Sequence, residues 1–443
     1  MHKINRAIPE LFLLFILLTL IQLPCVYAGL KLARDGVIFA SIAHAAASLK
    51  IFDLYDKQIT ITDRTILKGE APGAEKVTVN DSAMNLDEAG AFKTGLVLQR
   101  GKNLIIVTAK WKSGEETRRY RILRLTPFSD TYEKHDGVHW AKKEIVNLAT
   151  LGVIEGYPDN RFEPQRQVSR GELATWLVRA KGDRGEKPDK DPFFDVPKEH
   201  WRAPFIRGAA VKGYMRGYSD DKFGIDDPIA RASVAVIIDR AQDLKNESVV
   251  KKVFSDVSLN NPSAAAIWRA YMAGLVVGVA KRPRAYEPNR NMTRAELTEV
   301  LSRLPRVKRL VSSLFDFGSD YDESRLCKVN TPPQIEWVKI SLYEIPRDGE
   351  TASVVRAKVN DKQGMSDISQ VKVDLRSIGG PPDALMYDDG SHGDETAKDG
   401  IFSMGIEVSE NTDLGVKRLT ITALDKSGWE TSASTEIKVV KQW

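Results

Sequence analysis

Apolar residues follow two different periods along the chain, and the change of period marks the domains. In residues 50–127 and 334–443, short β-branched runs alternate with polar residues and end in turn residues, which is typical of half-buried strands. The clearest runs lie at 59–62, 76–79, 103–109, 354–359, 371–375 and 419–424. Short strands at this spacing predict an immunoglobulin-like (Ig-like) β-sandwich in each region.

Between these two regions the apolar residues recur with a helical period. Ala141, Ile145, Leu148 and Ala149 lie on one face of a predicted helix, and Gly152 follows at a position where helices commonly end. Further helices are predicted after two capping boxes, in each of which a hydroxyl residue precedes a glutamate by three positions. The two boxes are Ser169 with Glu172 and Thr293 with Glu296.

The helical region contains one unit three times, at 128–181, 193–247 and 253–305. Each copy opens with a Phe close to an Asp, continues through a Trp, and ends in a helix start with an Arg directly after the N-cap. The openings are Phe128-Ser129-Asp130, Phe194-Asp195-Val196 and Phe254-Ser255-Asp256. Tandem units of about sixty residues are supersecondary modules that bury their apolar faces against one another.

The order, spacing and residue types of the three copies resemble the S-layer homology (SLH) family across 128–305. The resemblance implies a mostly α-helical triplet with pseudo-threefold symmetry and grooves between adjacent repeats. The expected fold class is therefore multidomain α+β, with a central SLH triplet flanked by N- and C-terminal all-β Ig-like sandwiches. The resemblance also implies a ligand, since SLH domains bind secondary cell-wall polysaccharide, often pyruvylated and therefore bearing a carboxylate.

The first residues of the chain predict export. Lys3 and Arg6 precede an apolar run at 11–23, and Ala28 offers a small residue for cleavage, so 1–28 is interpreted as a secretory signal peptide. The apolar run is short for a membrane span, so we expect membrane contact only during export. Cys25, inside this segment, lies in a poor lipidation context. The residues that follow, 29–49, remain unassigned.

Charge and motifs argue against two classes of function. A net charge of +5 on 443 residues gives no electrostatic basis for strong nucleic-acid binding. The sequence contains no Gly-x-Ser-x-Gly, no His-Glu-x-x-His and no phosphate-binding loop, so we expect no enzyme activity. Solvated linkers are predicted at 181–192 and 306–333, and the second contains Cys327, interpreted as a linker thiol without a special role.

The arginine that follows each N-cap needs an explanation, because a cation at this end opposes the helix dipole by about 0.3–1 kcal/mol. A bound anion would explain it, since helix-start N–H groups and a guanidinium suit a carboxylate. An acid of the neighbouring repeat, such as the Asp of its opening, would explain it equally. The resemblance favours the ligand. Because repeat two has Ala230 and Ser233 in place of the capping box, we expect Arg170 and Arg294 to bind, with Arg231 in doubt.

Aromatic and loop residues supply further candidate contacts to a glycan. Trp140, Trp201 and Trp268 can stack on sugar rings or pack between repeats. Tyr157 and Asp159 lie in a predicted loop, where they contact ligand or serve as turn residues. Tyr218 and Asp220 occupy the matching loop of repeat two.

Two clusters have the composition of metal sites. His135 and His139 are four residues apart, but a glycine between them favours a loop and a structural role. A Gly-rich loop concentrates carboxylates that suit Ca²⁺, although an acidic hairpin without an ion explains them as well. Its candidate ligands are Asp388, Asp389, Asp394 and Asp399.

Together these features predict a non-enzymatic, exported bacterial surface protein of the cell wall. Its partner would be an anionic, often pyruvylated, cell-wall glycan held non-covalently by the triplet. The β-domains would act as spacers, adhesive modules or partner-binding modules. Two alternatives stay open: a carbohydrate-active enzyme that works through 334–443, and a self-assembling S-layer subunit.

Overall fold

The computed structural model describes residues 48–131, 139–244, 251–279 and 284–441. The predicted signal peptide at 1–28 lies outside these ranges, as does almost all of the unassigned segment. Within them the chain forms two β domains and, between them in sequence, one helical domain. No helix in this part of the chain is both long enough and apolar enough to cross a membrane.

The first β domain is built from two sheets that share one core. Its strands before the helical domain are β1 (Lys50–Phe52), β2 (Gln58–Thr60), β3 (Arg64–Glu70), β4 (Lys76–Val79), β5 (Ser82–Ala83), β6 (Ala91–Val97), β7 (Gly101–Trp111) and β8 (Gly114–Arg124). One sheet has the order β2-β8-β7-β4-β5, with β2 parallel to β8. Alternate residues such as Val77, Val79, Ile105 and Val107 are fully buried, as the two-residue period predicts.

The other sheet of this domain is completed by a strand that follows the helical domain. Its order is β1-β3-β6-β9, and β9 (Lys328–Asn330) pairs antiparallel with β6. Cys327 is buried in the shared core, where desolvation raises the pKa of its thiol to about 12. The prediction of an open linker at 306–333 is therefore wrong, because this segment contains a helix and a sheet strand. The helical domain is an insertion between two strands of the first β domain.

Seven described helices form the inserted domain. They are α1 (Lys142–Thr150), α2 (Arg170–Lys181), α3 (Ala203–Val211), α4 (Arg231–Gln242), α5 (Ala264–Met272), α6 (Arg294–Ser302) and α7 (Pro305–Leu314). Helix α2 packs on α3, α4 on α5, and α6 on α1, so each repeat packs on the next and the third closes on the first. Both predicted capping boxes form, and Gly152 adopts the left-handed conformation after α1, with φ 76°.

Three backbone hydrogen bonds form a ring at the centre of the helical domain. The N–H of Val168 donates to the carbonyl of Met292 (3.0 Å). The N–H of Met292 donates to the carbonyl of Ile229 (2.9 Å), and the N–H of Ile229 donates to the carbonyl of Val168 (3.3 Å). All three side chains are buried, and each residue directly precedes the N-cap of the second helix of its repeat. The three repeats therefore make equivalent contacts around a closed ring.

The opening of repeat two begins one residue earlier than the sequence suggested. Phe193 packs on Phe223 with ring centroids 5.3 Å apart, as Phe128 packs on Phe162 at 5.4 Å. Phe194 is 85% exposed instead. The shared pattern is a Phe two residues before an Asp, because the ring must reach the core while the carboxylate binds the loop beside it.

The second β domain also consists of two sheets. Its strands are β10 (Gln334–Ile340), β11 (Glu344–Pro346), β12 (Ser353–Asn360), β13 (Ile368–Asp374), β14 (Ala384–Met386), β15 (Ile401–Ile406), β16 (Gly415–Asp425) and β17 (Glu430–Val440). The sheet orders are β10-β12-β15 and β11-β17-β16-β13-β14, with β11 parallel to β17. Inward residues such as Val355, Val373 and Ile421 form one apolar core.

Candidate functional site

The arginine at the start of each second helix is bonded to the next repeat. Its Nε donates to a loop carbonyl there: Arg170 to Phe223 (2.8 Å), Arg231 to Tyr286 (2.7 Å) and Arg294 to Phe162 (2.7 Å). Its Nη2 donates to a second carbonyl, that of Arg216 (2.6 Å), Val277 (2.9 Å) or Glu155 (2.8 Å) respectively. The three side chains are therefore buried between repeats and hold the ring together.

The aspartate of each opening binds the same loop from the other side. Asp195 accepts the N–H groups of Phe223 (2.7 Å) and Gly224 (2.5 Å), and Asp130 and Asp256 do the same in their repeats. Burial alone would raise the pKa of Asp195, but these backbone donors outweigh it and lower the pKa. The openings therefore fix the loop rather than pair with the arginines.

The N–H groups of the first helical turn are also occupied. At α2 the N–H of Arg170 donates to the carbonyl of Asp227 and that of Gly171 to Ile225, both at 2.9 Å. The N–H of Glu172 donates to the Ser169 hydroxyl. Helix α6 repeats this arrangement. The expectation that these amides bind an anion is therefore wrong for α2 and α6, because the neighbouring repeat and the cap already use them.

The third guanidinium nitrogen, Nη1, distinguishes the three arginines. In two repeats it contacts the glutamate of the next capping box: Arg294 pairs with Glu172, and Arg231 Nη1 lies 3.1 Å from Glu296 Oε1. The other oxygen of each glutamate accepts the N–H of its own N-cap residue, Ser169 or Thr293, at 2.9 Å. One carboxylate thus bridges a guanidinium and an N-cap amide.

Repeat two has no carboxylate at this position, since Ser233 replaces the glutamate. Among the described residues, neither Arg170 Nη1 nor the Ala230 N–H has a hydrogen-bond partner. Arg170 forms no ion pair in this part of the chain, and burial lowers the pKa of its guanidinium. Tyr218 packs its ring 4.4 Å from the guanidinium carbon. Two donors that elsewhere share a carboxylate are therefore unbonded here.

Two clefts open between neighbouring repeats. The first, of about 480 Å³, lies between repeats one and two, and its lining includes Tyr157, Arg166, Glu172, Arg202 and Asp226. The second, of about 430 Å³, is lined by residues of all three repeats, among them Trp140, Arg231, Val277, Met292 and Glu296. In the first cleft Arg202 Nε is buried and has no acceptor among the described residues. Sequence reasoning missed Arg166 and Arg202, because no motif marks them.

The three tryptophans are not equivalent. Trp140 and Trp201 directly precede first helices and are 56% and 49% exposed. Trp268 lies inside α5 and is buried. The prediction that it occupies the same position in its repeat as the other two tryptophans is therefore wrong. Pro262 occupies the matching position of repeat three. Among the described residues of the three repeats, the exposed indole rings are therefore those of Trp140 and Trp201.

The loop residues have separate surroundings. The Tyr157 hydroxyl accepts a hydrogen bond from Arg166 (2.6 Å), and its ring lies 4.9 Å from the guanidinium carbon of Arg294. Asp159 is exposed and bonds Arg161 in its own turn. Asp220 is exposed in the matching loop. The structure thus places Tyr157 in the first cleft and Asp159 outside its lining.

His139 and His200 stabilise helix starts. His139 Nδ1 accepts the N–H of Ala141 (3.2 Å), His200 Nδ1 accepts that of Arg202 (3.1 Å), and Asn261 Oδ1 accepts that of Ser263 (2.8 Å). Burial lowers the pKa of His200, which suits a neutral ring with an acceptor nitrogen. His135 lies outside the described residues. The shared side-chain acceptor supports the structural role of His139.

The acidic loop of the second β domain brings three of its four candidate ligands together. Oxygens of Asp388, Asp394 and Asp399 lie within 4.8 Å of one another, whereas Asp389 bonds Ser391 and is not in this group. Backbone N–H groups already donate to each of the three carboxylates. The Ca²⁺ site at this loop stays a prediction.

Comparison with known families matches residues 127–174 and 192–235 to the S-layer homology domain. The chain carries SLH domains. "Cell surface glycoprotein 1" of Acetivibrio thermocellus is 29% identical over 178 residues, which are 38% of this chain and 7% of that protein. The "Cellulosome-anchoring protein" of the same organism is 28% identical over 30% of each chain. The chain therefore spans less than a third of the length of these relatives.

The SLH domains and these relatives place the protein at the cell surface. SLH domains also accompany enzymes, since the "Amylopullulanase" of Thermoanaerobacterium thermosulfurigenes is 28% identical over 37% of this chain and 9% of its own length. Among solved structures, the fibronectin(III)-like modules of Clostridium thermocellum CbhA match 89% of this chain and 94% of their own, at 7% identity and a TM-score of 0.17. That score is too low to support an argument about the fold.

Proposed function

We propose that this SLH protein is a non-enzymatic surface protein that attaches to an anionic cell-wall glycan through its helical domain. Residues 253–305 would form the third SLH repeat, because they supply the same arginine, aspartate and capping-box contacts as the two matched segments. The flanking β domains would be Ig-like spacers or partner-binding modules. The observation that supports the proposal is that Arg170 Nη1 and the Ala230 N–H have no hydrogen-bond partner among the described residues.

A ligand carboxylate would take the position that a glutamate holds in the other repeats. It would accept from Arg170 Nη1 with one oxygen and from the Ala230 N–H with the other, as Glu296 accepts from Arg231 and Thr293. Charge-assisted bonds to a buried guanidinium are strong because the surroundings are poorly solvated. A pyruvyl ketal on a sugar carries a carboxylate that suits this position.

The same comparison argues against direct contacts from the other two arginines. All three guanidinium nitrogens of Arg294 are bonded within the protein, and the side chain is 1% exposed. Arg231 is bonded in the same way. We therefore assign both to holding the repeats together, and Arg170 to the ligand.

Sugar contacts would come from groups around the clefts. Trp140 is half exposed at the second cleft and can stack on a sugar ring. In the first cleft Arg166 and Arg202 lie beside the carboxylates of Glu172 and Asp226, so its lining is of mixed charge, and Arg202 Nε still lacks an acceptor. Such a lining can contact the hydroxyl groups of a sugar.

The test is to place a glutamate side chain of the protein at the position proposed for the ligand carboxylate. Ser233→Glu would bond Arg170 and Ala230 as Glu296 does in repeat three, whereas Ser233→Gln has the same shape without the charge. We expect Ser233→Glu to weaken co-sedimentation of the chain with cell walls about tenfold or more, since a charged hydrogen bond contributes about 1.5–3 kcal/mol. Ser233→Gln should bind like the wild type.

Walls stripped of secondary polymer serve as the second arm of the experiment. Binding that is lost on stripping identifies the glycan as the partner. Undiminished wall binding by Ser233→Glu would show that Arg170 does not hold the ligand. Binding by wild type to stripped walls would redirect the proposal to peptidoglycan.

A further inference from the structure

Three buried carboxylates meet where the two β domains touch. Asp361 follows β12, Asp367 precedes β13 and Asp425 ends β16. They are 5%, 2% and 1% exposed, and one oxygen of each lies within 4.8 Å of the others. Sequence reasoning did not single them out, because Asp367 and Asp425 are 58 positions apart in the chain.

The first β domain contributes two side chains to this cluster. Arg64 Nη1 lies 3.3 Å from Asp367 Oδ2, and the same guanidinium donates to Ser427 Oγ at 2.8 Å. Asn330, on β9, donates through Nδ2 to Asp425 Oδ2 at 2.7 Å. The cluster is therefore part of the contact between the domains.

The cations and donors present do not satisfy the three carboxylates. Arg64 is the one cation that pairs with them among the described residues. Asp425 Oδ1 accepts two backbone N–H groups, and Asp361 Oδ1 accepts that of Gln363 at 2.7 Å. The second oxygen of Asp361 is buried and has no donor in this part of the chain.

Such an arrangement is unfavourable unless something else neutralises it. Burying an unpaired carboxylate costs several kcal/mol, so proteins pair it, protonate it or bind a metal ion to it. Burial, together with the charges of Asp367 and Asp425, raises the pKa of Asp361. The donor set is made of oxygens alone, which is the set that Ca²⁺ prefers.

We propose that Asp361, Asp367 and Asp425 bind a divalent cation of the Ca²⁺ type at the junction of the two β domains. The free oxygen of Asp361 points to a missing positive partner, and Arg64 by itself balances only one of the three charges. Arg64 and Asn330, which come from the first domain, contact two of the same carboxylates, so the ion would lie at the contact between the domains.

A carboxylate of the same domain that lies outside both acidic groups supplies a matched control. The Asp348 carboxylate accepts the backbone N–H groups of Glu350 (3.0 Å) and Thr351 (2.8 Å), whereas Asp361→Asn removes the ligand that has a free oxygen. Asp348→Asn and Asp361→Asn make the same chemical change in the same domain. A difference between them therefore separates the junction from a general loss of carboxylate charge.

The experiment measures thermal unfolding of the full chain after EDTA treatment, with and without added CaCl₂. We expect Ca²⁺ to raise the melting temperature of the wild type and of Asp348→Asn by roughly 5 °C, the size that tight binding to the native state produces. Asp361→Asn should show no Ca²⁺-dependent rise. In EDTA it should melt at or above the wild-type temperature, which shows that it folds.

Terbium luminescence of the full chain gives a second readout, since Trp429 lies beside Asp425 and can transfer excitation to a bound Tb³⁺. The luminescence should be lost in Asp361→Asn and kept in Asp348→Asn. A wild type whose melting temperature does not respond to Ca²⁺ would overturn the proposal. So would an Asp361→Asn variant that responds as strongly as the wild type, or equal loss of the response in Asp348→Asn and Asp361→Asn.

Discussion

Arg294 and Glu172, which are 122 positions apart in sequence, form a buried ion pair that joins the third repeat to the first. The contact closes the ring of repeats, because Arg294 also donates to two carbonyls of repeat one. Arg231 and Glu296 make the equivalent pair between repeats two and three. Between repeats one and two the glutamate is absent, and Arg170 Nη1 has no hydrogen-bond partner in the part of the chain that the structure describes.

The closing ion pair should dominate the stability of the helical domain. Arg294→Ala leaves Glu172 buried without its main partner, and such a loss typically costs about 3–5 kcal/mol. Arg170→Ala removes a cation that pairs with no carboxylate, so its cost should be smaller. Urea unfolding at pH 7 measures both. Equal losses in the two variants would show that the ion pair adds nothing to the carbonyl contacts.

The aspartates of the openings should make the fold sensitive to acid. The pKa of Asp195 and that of Asp256 are lowered, since backbone N–H groups outweigh burial. A lowered folded-state pKa gives stability that is present above the unfolded value, about 4, and is lost as the pH falls through the folded value. Asp195→Asn should therefore destabilise at pH 7 and much less at pH 3. A pH-independent difference would contradict this assignment.

The histidines that precede first helices should be replaceable by asparagine. His200→Asn keeps an acceptor for the Arg202 N–H, as Asn261 provides one in repeat three. His200→Ala removes it and should cost about 1 kcal/mol, the typical net value of one hydrogen bond. Thermal unfolding of the pair compares them directly. If both variants lose the same stability, packing of the imidazole rather than its Nδ1 is what matters.

The tryptophans should separate binding from folding. Trp268 is buried, so Trp268→Ala should lower the free energy of unfolding by about 3–5 kcal/mol. Trp140 is more than half exposed at a cleft, so Trp140→Ala should leave stability almost unchanged and weaken binding to cell walls. Unfolding and co-sedimentation are measured on both variants. Wall binding by Trp140→Ala equal to that of the wild type would remove this residue from the glycan surface.

Much of the local structure could be predicted from the sequence. The strands at 76–79 and 103–109, the buried face of α1 and both capping boxes depend on residues close together in the chain, and all of them form. The wrong predictions concern contacts between segments that are far apart in the sequence. The segment 306–333 reads as a polar linker, but three of its residues pair with β6 and complete a sheet.

The candidate site likewise combines features that the sequence predicts with contacts that depend on the tertiary structure. The sequence by itself determined that each repeat has an arginine at a helix start and that repeat two lacks the capping glutamate, because residue type and spacing carry that information. Only the tertiary structure decided which carbonyls and carboxylates surround each guanidinium. Those partners come from the neighbouring repeat, and contacts between distant segments are fixed by packing of the whole domain rather than by local sequence. For the same reason, the carboxylates of Asp361, Asp367 and Asp425 become a cluster only in the folded chain.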